Sequence, residues 1–575
     1  MKYLKYISIV TFVLVIAACE DIFDRQPLDK ISSSAVWSDQ QLIDASLADL
    51  YANTPFFYSE NSLMATQPAY MGAEAYVHDA SSSWIQGTLN ETGGVWDYWA
   101  YGHIRNLNDF IENVSQSPID ENVREVRLAE ARFLRAFVYF EMVKRYGGVP
   151  IITIPQSINA PEDELYVHRD TEKEVYDFIA SECDDIAQVL PEIADEYGRA
   201  TKYTALALKS RAMLYAASIA TYSTQQLDGL LGFPAAEATA YWQKSYDASK
   251  LIVDSELFEL YEGKVDKAEN FQYLFLEERN SEVIFAKVFN GKGQVGHSFD
   301  YYNYPGGFEK NWGGSTAAYL ETVESFEYVD GTSGKLDYNF LENNPISFDE
   351  LFENKDPRFF ASILYPGATF KDGMIYCHGG TYVDGELITT TTLIGEYKGL
   401  PWYAVSPFQN RTYGRGFSIR KMINEPEEQA LAGESDTDYI VFRYGEILLN
   451  LAEAAFELGK TDEAKDYLNE IRERAGIALL TSVDREKIRQ ERQVELTFEG
   501  HRFWDLRRWR IAEEELSKEM HSIKMNFDWD SKTYEVKIEN ADVVTRDFEA
   551  RHYYLPITVG RISNNPNLAP DNTGY

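Results

Sequence analysis

The sequence predicts a mainly α-helical protein with a loop-rich, partly β region inserted into it. Long amphipathic segments with helical spacing fill both ends of the 575-residue chain. Between them, residues 280–420 alternate short β-rich runs with glycine, proline and aromatic loops. One helix pair near the C-terminus has the small-residue pattern of a tetratricopeptide unit. We therefore expect a helical scaffold that carries a loop-rich region.

The first segment has the pattern of an export signal. Two lysines precede an apolar run that ends at Ala18, and this run is shorter than the roughly 20 residues that span a bilayer. The sequence "IAAC" at the end of this run is typical of a bacterial lipobox, in which Cys19 is acylated and the chain is cut before it. The alternative is an ordinary cleavage site with an incidental cysteine. We expect residues 1–18 to be a signal peptide and Cys19 to carry lipid.

Helical segments recur along the chain, starting with one predicted over residues 38–51. The stretch "VREVRLAEARFLRAFVYFEMVKRYGGVP" has a broad apolar face, and Gly147 and Gly148 before Pro150 end it. The stretch "YGEILLNLAEAAFELGKTDEAKDYLNEIRERAG" predicts two helices around Gly459, with small residues where tetratricopeptide helices approach closely. The predicted pairs are 124–146 with 171–190, 202–222 with 237–257, 441–459 with 461–475, and 485–499 with 501–516.

The charge and composition limit the classes of ligand. A formal net charge of −38 opposes binding to nucleic acid or to anionic lipid surfaces. Membrane attachment is therefore expected through the lipid anchor only. The chain contains 39 Tyr, 32 Phe and 10 Trp, which is more than folding alone requires. This excess favours a neutral ligand with flat or apolar faces.

Motifs of catalysis and cofactor binding are missing from the sequence or lack their context. Gly291 to Gly296 matches G-x-G-x-x-G, but the required helix does not follow, which favours a flexible turn. We predict no catalytic residues, no cofactor and no metal site. The acidity is compatible with calcium, although no D-x-D-x-D-G loop requires it. Cys183 and Cys377 are expected to be unpaired structural residues.

The segment "RQERQVELTFEGHRFWDLRRW", residues 489–509, is dense in charge and aromatic side chains. Its arginines and tryptophans fit a nucleic-acid surface, but the spacing of its acidic and basic residues fits ion pairs within a helix pair. We favour the structural interpretation with buried ion pairs. The acidic members are Glu491, Glu495, Glu499 and Asp505, and the basic members are Arg492, Arg502 and Arg508.

The segment "HSFDYYNYPGGFEKNWGG", residues 297–314, is the strongest candidate for a ligand-binding loop. Its glycines and Pro305 interrupt regular structure, so its rings have no regular layer to join. The alternative is that the rings only fix the loop to the scaffold. The predicted ligand-binding residues are Trp84, Trp96, Tyr98, Tyr301, Tyr302, Tyr304 and Trp312, with Asp79, Asn303 and Asn311 as groups that bind hydroxyls.

Taken together, several stretches resemble the SusD/RagB family of Bacteroidetes outer-membrane lipoproteins. They are the lipobox with "FDRQPLD" after it, "EARFLRAFVYFEMVKRYGGVP", "FRYGEILLNLAEAAFELG" with "YLNEIRERAG", residues 489–509, and the ending "YYLPITVGRISNNPNLAPDNTGY". The resemblance spans the chain from residue 19 to residue 575. It implies one SusD-like domain over 19–575, with an N-terminal part over 19–230 and a RagB/SusD C-terminal part over 280–575.

The resemblance also implies a function. Members have a SusD-like scaffold of four tetratricopeptide-like pairs and a loop-rich ligand face. They are lipid-anchored at the outer membrane and face the cell exterior, in keeping with Glu20 and Asp21 after Cys19. They are not enzymes, and they pass oligo- or polysaccharide to a SusC-like TonB-dependent transporter. A peptide or glycopeptide ligand, a surface glycoside hydrolase and a purely structural adaptor are the alternatives.

Overall fold

The structure confirms the mainly α-helical fold class. It is a computed structural model that describes residues 36–56, 66–77, 90–157, 159–291, 293–305, 308, 312–375, 377–389, 396–397, 400–401, 415–426, 430–542 and 545–575. Cys19, Asp79, Trp84 and Asn311, which the sequence singled out, lie outside the described residues. Long helices occupy both ends of the described chain, and the strands lie mostly between residues 283 and 443 and in one C-terminal hairpin.

The helices follow the predicted order. They are α1 (Gln40–Asn53), α2 (Thr66–Met71), α3 (Tyr101–Ser115), α4 (Glu121–Tyr146), α5 (Glu162–Leu165), α6 (Glu172–Ile186), α7 (Lys202–Tyr222), α8 (Ala238–Val253), α9 (Lys267–Tyr273), α10 (Phe299–Asn303), α11 (Leu320–Ser325), α12 (Tyr338–Asn343), α13 (Phe348–Leu351), α14 (Pro357–Ser362), α15 (Tyr444–Glu457), α16 (Thr461–Ala475), α17 (Arg485–Glu495), α18 (Arg502–Arg508), α19 (Ala512–Glu515) and α20 (Val559–Asn564). Short 3₁₀ turns are Gly94–Trp96, Leu227–Gly229, Ala235–Glu237, Ala550–Tyr553 and Pro566–Leu568.

The strands are short, apart from the C-terminal hairpin. They are β1 (Ala75–Val77), β2 (Val283–Lys287), β3 (Thr316–Ala318), β4 (Ile363–Leu364), β5 (Thr369–Phe370), β6 (Gly373–Met374), β7 (Gly380–Val383), β8 (Glu386–Ile388), β9 (Glu396–Tyr397), β10 (Leu400–Pro401), β11 (Ser418–Ile419), β12 (Tyr439–Arg443), β13 (His521–Asp528) and β14 (Thr533–Asn540). One sheet has the order β1-β3-β11-β4 and another the order β14-β13-β7-β8.

The predicted helix pairs form the scaffold. Helix α4 packs on α6, α7 on α8, and α15 on α16, while α8 also packs on α15 and so joins the N-terminal and C-terminal pairs. The fourth pair, α17 and α18, is shorter. Its helices are linked by an ion pair from Arg492 Nε to Asp505 Oδ2 at 2.8 Å, and α17 packs on α15.

Local sequence signals set the ends of the long helices. Asp120 caps α4 by accepting from the backbone N–H of Asn122 and Val123. At the other end, Gly147 has a φ of 70°, and an added Cβ there would lie 2.5 Å from Leu231 Cδ2. Glycine is therefore required at this helix end, as the sequence predicts. Helix α6 begins with a reciprocal capping box between Thr171 and Glu174.

Buried charges connect the C-terminal helices to the inserted region. We call this group the ionic core; it consists of Glu282, Arg358, Arg443, Arg474, Glu495 and Glu499. Glu495 accepts from Arg358 at 2.9 Å, from Arg443 at 2.8 Å and from Arg474. Burial opposes ionisation of Glu495, but Arg474, Arg443 and Arg358 lower its carboxyl pKa well below the usual value. The core charges therefore compensate one another.

The partners in this region differ from those that the spacing predicts. The prediction of buried ion pairs is confirmed. Among the described salt bridges of residues 489–509, however, only one of the predicted pairs lies within a single helix. It joins Arg508 to Asp505 at 2.8 Å. Glu491 instead binds Arg358 at 2.6 Å and Arg472 at 2.8 Å, both outside the segment. Sequence spacing reports neighbours on one helix only, so it could not find these long-range partners.

Three smaller features complete the description of the fold. Within the described residues, no helix has both the length and the apolar character needed to cross a membrane. Cys183 and Cys377 are free and buried, and burial raises the pKa of the Cys377 thiol to about 12. The G-x-G-x-x-G segment forms a turn, closed by a bond from Asn290 N–H to the Val295 carbonyl at 2.9 Å.

Candidate functional site

The aromatic loop, residues 297–315, folds back on itself before the chain enters β3. The backbone N–H of Gly314 donates to the Tyr304 carbonyl at 2.8 Å, and that of Ser315 donates to the Tyr302 carbonyl at 2.9 Å. These bonds place Trp312 beside the short helix α10. The described residues on the two sides of the loop are thus joined, which brings the Trp312 ring close to that of Tyr302.

His297 fixes the start of the aromatic loop. Its backbone forms reciprocal hydrogen bonds with Ser435, each 3.0 Å long. The imidazole Nδ1 accepts from Phe299 N–H at 3.2 Å, so Nε2 carries the proton and donates to the Thr437 carbonyl at 2.9 Å. Burial lowers the pKa of His297 to about 4, which keeps the ring neutral at pH 7.

A second attachment joins α10 to residue 424. Asp300 Oδ1 accepts from the Asn424 backbone N–H at 2.9 Å, and the Tyr304 hydroxyl donates to the Asn424 carbonyl at 2.6 Å. Burial raises the pKa of Asp300 to about 6. Residues three and four apart share one face of a helix, so these contacts turn Phe299, Asp300 and Asn303 inward. Tyr301 and Tyr302 are left on the outer face.

The outer rings form what we call the aromatic platform: Tyr301, Tyr302 and Trp312. All three are half-buried. The Tyr301 and Tyr302 ring centroids lie 5.0 Å apart at an interplanar angle of 83°, and those of Tyr302 and Trp312 lie 6.3 Å apart at 73°. Trp312 Nε1 donates to Ser315 Oγ at 2.9 Å, which holds the indole in place. The platform therefore offers ring surface to solvent beside an indole that is hydrogen-bonded to its own loop.

The structure corrects the prediction that Tyr304 and Asn303 face a ligand. Both side chains are 1% exposed. The Tyr304 ring packs edge-on against Phe370 at 5.5 Å, and Asn303 Nδ2 donates to the Phe299 carbonyl at 2.9 Å. They lie on the inner face of α10, so they support the platform rather than contact solvent.

Trp96 and Tyr98 belong to another part of the fold. Trp96 is 2% exposed, and its ring stacks on Phe503 at 5.4 Å. This burial corrects the prediction that Trp96 contacts ligand. Tyr98 is half-buried, its backbone N–H donates to the Tyr146 hydroxyl at 2.6 Å, and its ring lies 5.6 Å from the Arg145 guanidinium. The contacts of both residues are with α4 and α18, so we do not place them in the candidate site.

A polar cleft of about 720 Å³ adjoins the aromatic loop through one of its lining residues, Lys371. Lys371 lines it, and the Lys371 ammonium lies 4.6 Å from the centre of the Tyr304 ring. Half-buried Tyr273 and Phe360 line the cleft together with Arg420 and Glu425, whose closest ion-pair contact is 2.5 Å. These rings and charges come from four separate stretches. No local sequence pattern marks them, so they could not be predicted from the sequence.

The described residues contain no group of three or more His, Cys, Asp or Glu side chains arranged to hold a metal ion. The candidate site therefore consists of rings, a buried support and a polar cleft. Such surfaces bind by stacking and hydrogen bonding.

Comparisons with known proteins agree with this architecture. A model described as the SusD family matches residues 281–575, and one described as "Starch-binding associating with outer membrane" matches residues 23–214. A SusD-like protein of Formosa agariphila is 25% identical over 607 residues, covering 100% of both chains. A SusD-like protein of Bacteroides fragilis has a TM-score of 0.73 and 26% identity, with 96% of this chain and 100% of that chain covered.

A second solved structure shows the same fold at lower identity. It is a SusD-like carbohydrate binding protein of Bacteroides fragilis, with a TM-score of 0.70 and 22% identity over 93% of this chain and 100% of that chain. The family resemblance predicted from the sequence is thereby confirmed. Because the SusD family model matches the C-terminal half and full-length relatives match the whole, this chain belongs to the SusD family.

Proposed function

We propose that this protein binds oligo- or polysaccharide on the aromatic platform and does not act on it chemically. The observation that carries the proposal is the platform itself: three half-buried rings on a loop whose inner side chains are anchored. Sugar rings present C–H faces that pack on aromatic rings, while their hydroxyls require hydrogen bonds at the rim. A matching family model is described as starch-binding, which supports a saccharide as the ligand class.

We expect the cleft to supply hydrogen-bonding groups in addition to the hydroxyls of Tyr301 and Tyr302. Gln272 Nε2 donates to Glu425 Oε1 at 2.8 Å, and this carboxylate also pairs with Arg420. Fixed carboxylate and guanidinium groups suit hydroxyls, which both donate and accept. A chain bound across the loop would stack on the platform and extend toward the cleft.

Affinity electrophoresis tests the site. Native gels containing soluble starch, laminarin or xylan should retard the wild-type protein, and Trp312→Ala should run with much less retardation. Tyr166→Ala is the matched control, because Tyr166 is an exposed aromatic residue at 39% exposure outside the loop. Equal retardation of the two variants, or no retardation on any polysaccharide, would reject the proposal. Calorimetry with peptides in place of oligosaccharides separates the alternative ligand class.

We further propose the cellular role that the family resemblance implies. Residues 1–18 would be removed, lipid on Cys19 would anchor the chain at the outer membrane facing the exterior, and saccharide would pass to a SusC-like TonB-dependent transporter. The family description "associating with outer membrane" and the lipobox sequence support this.

Labelling and cell-surface digestion test this role. Wild-type protein should incorporate labelled palmitate and be cleaved by protease added to intact cells, whereas Cys19→Ala should incorporate no label. Affinity purification should recover a transporter of this class. Labelling of Cys19→Ala would reject the anchor, and protection of the wild type on intact cells would reject the exterior location.

A further inference from the structure

A second polar groove lies on the sheet β14-β13-β7-β8. It has a volume of about 970 Å³, and its lining shares no described residue with the aromatic loop or the cleft. We call it the sheet groove. Its polar lining includes Asn343, Asn344, Lys524, Asn526, Glu535 and Lys537.

Strand register brings the polar side chains of the groove together. Lys524 lies opposite Lys537, and Asn526 lies opposite Glu535 on one side and Gly380 on the other. Since side chains alternate along a strand, these residues share the outward face, while Met525 between them is buried. The groove thus presents a row of side chains over a solid floor.

Beside the groove, the close packing of side chains around Gly380 favours glycine at this position. A Cβ added there would lie 2.9 Å from Leu387 Cδ1 and 3.2 Å from Asn526 Oδ1. Asn526 is half-buried, and no hydrogen bond of its side-chain amide occurs within the part of the chain that the structure describes. Its amide can therefore both donate to and accept from a ligand in the groove.

The end of α12 provides two oriented acceptors. Asn343 Nδ2 donates to the Asn339 carbonyl at 2.7 Å, and Asn344 Nδ2 donates to the Phe340 carbonyl at 2.9 Å. These bonds orient both side-chain amides through their nitrogens and leave both side-chain carbonyl oxygens for other partners. The backbone N–H of Ile538 donates to Glu342 Oε1 at 3.0 Å, which fixes this end of α12 to the sheet.

Two lysines of the β13–β14 hairpin supply donors. Lys524 Nζ lies 2.6 Å from Glu539 Oε2, and Lys537 Nζ lies 3.2 Å from Glu539 Oε1. Each ammonium carries three N–H groups, so one shared carboxylate leaves donors on both lysines. Among the described lining residues none is aromatic. Recognition in this groove would therefore depend on hydrogen bonds rather than on stacking.

We infer that the sheet groove is a second saccharide-binding site, which takes a hydroxyl-rich chain through amide, carboxylate and ammonium groups. The inference rests on the proposed function for the class of ligand only, because the two sites share no described lining residue. A polymer long enough to reach both sites would gain avidity from two weak contacts.

Four proteins form the main comparison that tests the inference, in gels containing soluble starch, laminarin or xylan. They are the wild type, Tyr302→Ala/Trp312→Ala, Asn526→Ala, and the combination of all three changes. Asn526→Ala should lower affinity about fivefold for at least one polysaccharide, as expected for the loss of ligand hydrogen bonds. Asn122→Ala, at an exposed asparagine on α4, is the control. Lys537→Ala, with a side chain 73% exposed, gives a second variant that does not disturb the core.

The outcomes separate the two sites. If Asn526→Ala and Lys537→Ala match Asn122→Ala on every polysaccharide, or if no polysaccharide binds, the sheet groove is not a saccharide site. If Tyr302→Ala/Trp312→Ala binds like the wild type while Asn526→Ala loses affinity, the sheet groove is a saccharide site and the assignment of saccharide binding to the aromatic platform is wrong. If both changes weaken binding and their combination weakens it further, both sites bind saccharide.

Discussion

Residues 489–509, which contribute Glu495 and Glu499 to the ionic core, and the aromatic loop are both rich in aromatic rings, but they differ in the partners of their side chains. Residues 489–509 are rich in arginine, glutamate and aromatic rings, yet Glu495 is 0% exposed and surrounded by three guanidinium groups. Residues 297–315 carry fewer charges, and four of their aromatic residues are half-buried: Tyr301, Tyr302, Phe308 and Trp312. The difference is one of partners: buried charges need fixed counter-charges, whereas ligand-binding rings need support on one side only.

The largest effect that we predict comes from removing the centre of the ionic core. Glu495→Ala leaves Arg358, Arg443 and Arg474 without a shared carboxylate, so the free energy of unfolding should fall by about 3–5 kcal/mol. Glu486→Ala on the same helix is the control. Its side chain is 82% exposed, and losing its pair with Arg489 should cost about 0–1 kcal/mol. If urea denaturation showed that Glu495→Ala and Glu486→Ala lose the same free energy of unfolding, the ionic core would not be stabilising.

A buried carboxyl that lacks such partners should behave in the opposite way with pH. Glu74 is 1% exposed, and burial raises its pKa to about 8. The protonated Glu74 carboxyl therefore favours the folded state fully below about pH 4.5, and this contribution to the free energy of unfolding is lost as the pH rises through 8. Glu74→Gln should flatten this dependence, removing a slope of up to about 1.4 kcal/mol per pH unit.

Urea denaturation of wild type and Glu74→Gln from about pH 5 to about pH 9 measures the effect of Glu74. Relative to the variant, the wild type should lose stability with rising pH. Phe498 N–H, which donates to Glu74 Oε1 at 3.3 Å, keeps an acceptor in glutamine, so the fold should be retained. Parallel curves would show that Glu74 is ionised in the folded protein throughout.

On the platform, a change should affect binding more than folding. Trp312→Ala removes a half-buried ring and should weaken saccharide binding by about 1–2 kcal/mol, roughly tenfold. The free energy of unfolding should change by less than about 1 kcal/mol, because the ring is outside the buried core. Calorimetry and urea denaturation on the same samples measure both quantities. A loss of stability larger than the loss of affinity would make the ring structural.

The smallest effect that we predict is on saccharide affinity when Tyr304, a buried residue that supports the platform, is changed. Tyr304→Phe keeps the buried ring and removes the hydroxyl bond to the Asn424 carbonyl, worth about 1 kcal/mol. Saccharide affinity should fall less than in Trp312→Ala, because the surface rings stay. Tyr166→Phe, at an exposed tyrosine, serves as the control in the same calorimetric titration. A loss in Tyr304→Phe equal to that in Trp312→Ala would place Tyr304 at the ligand.

The comparison also shows which features the sequence could predict. Helix order and ends follow local signals such as the Asp120 cap and Gly147, so they were predictable. Pro305 and the glycines predicted a segment without a regular element, which is wrong for its first part: Tyr301 and Tyr302 lie on the short helix α10, which ends before Pro305. The burial of Tyr304 and Asn303 was missed, since it depends on residue 424, far along the chain. The partners of Glu495 and the cleft residues were missed for the same reason.

A crystal structure with bound oligosaccharide tests the central claim most directly. The oligosaccharide should be the repeating unit of the polysaccharide that retards the protein most in affinity electrophoresis. We predict a sugar ring packed on the rings of Tyr302 and Trp312, with hydroxyls directed toward the cleft. A sugar bound elsewhere, with the aromatic platform left bare, would contradict the account.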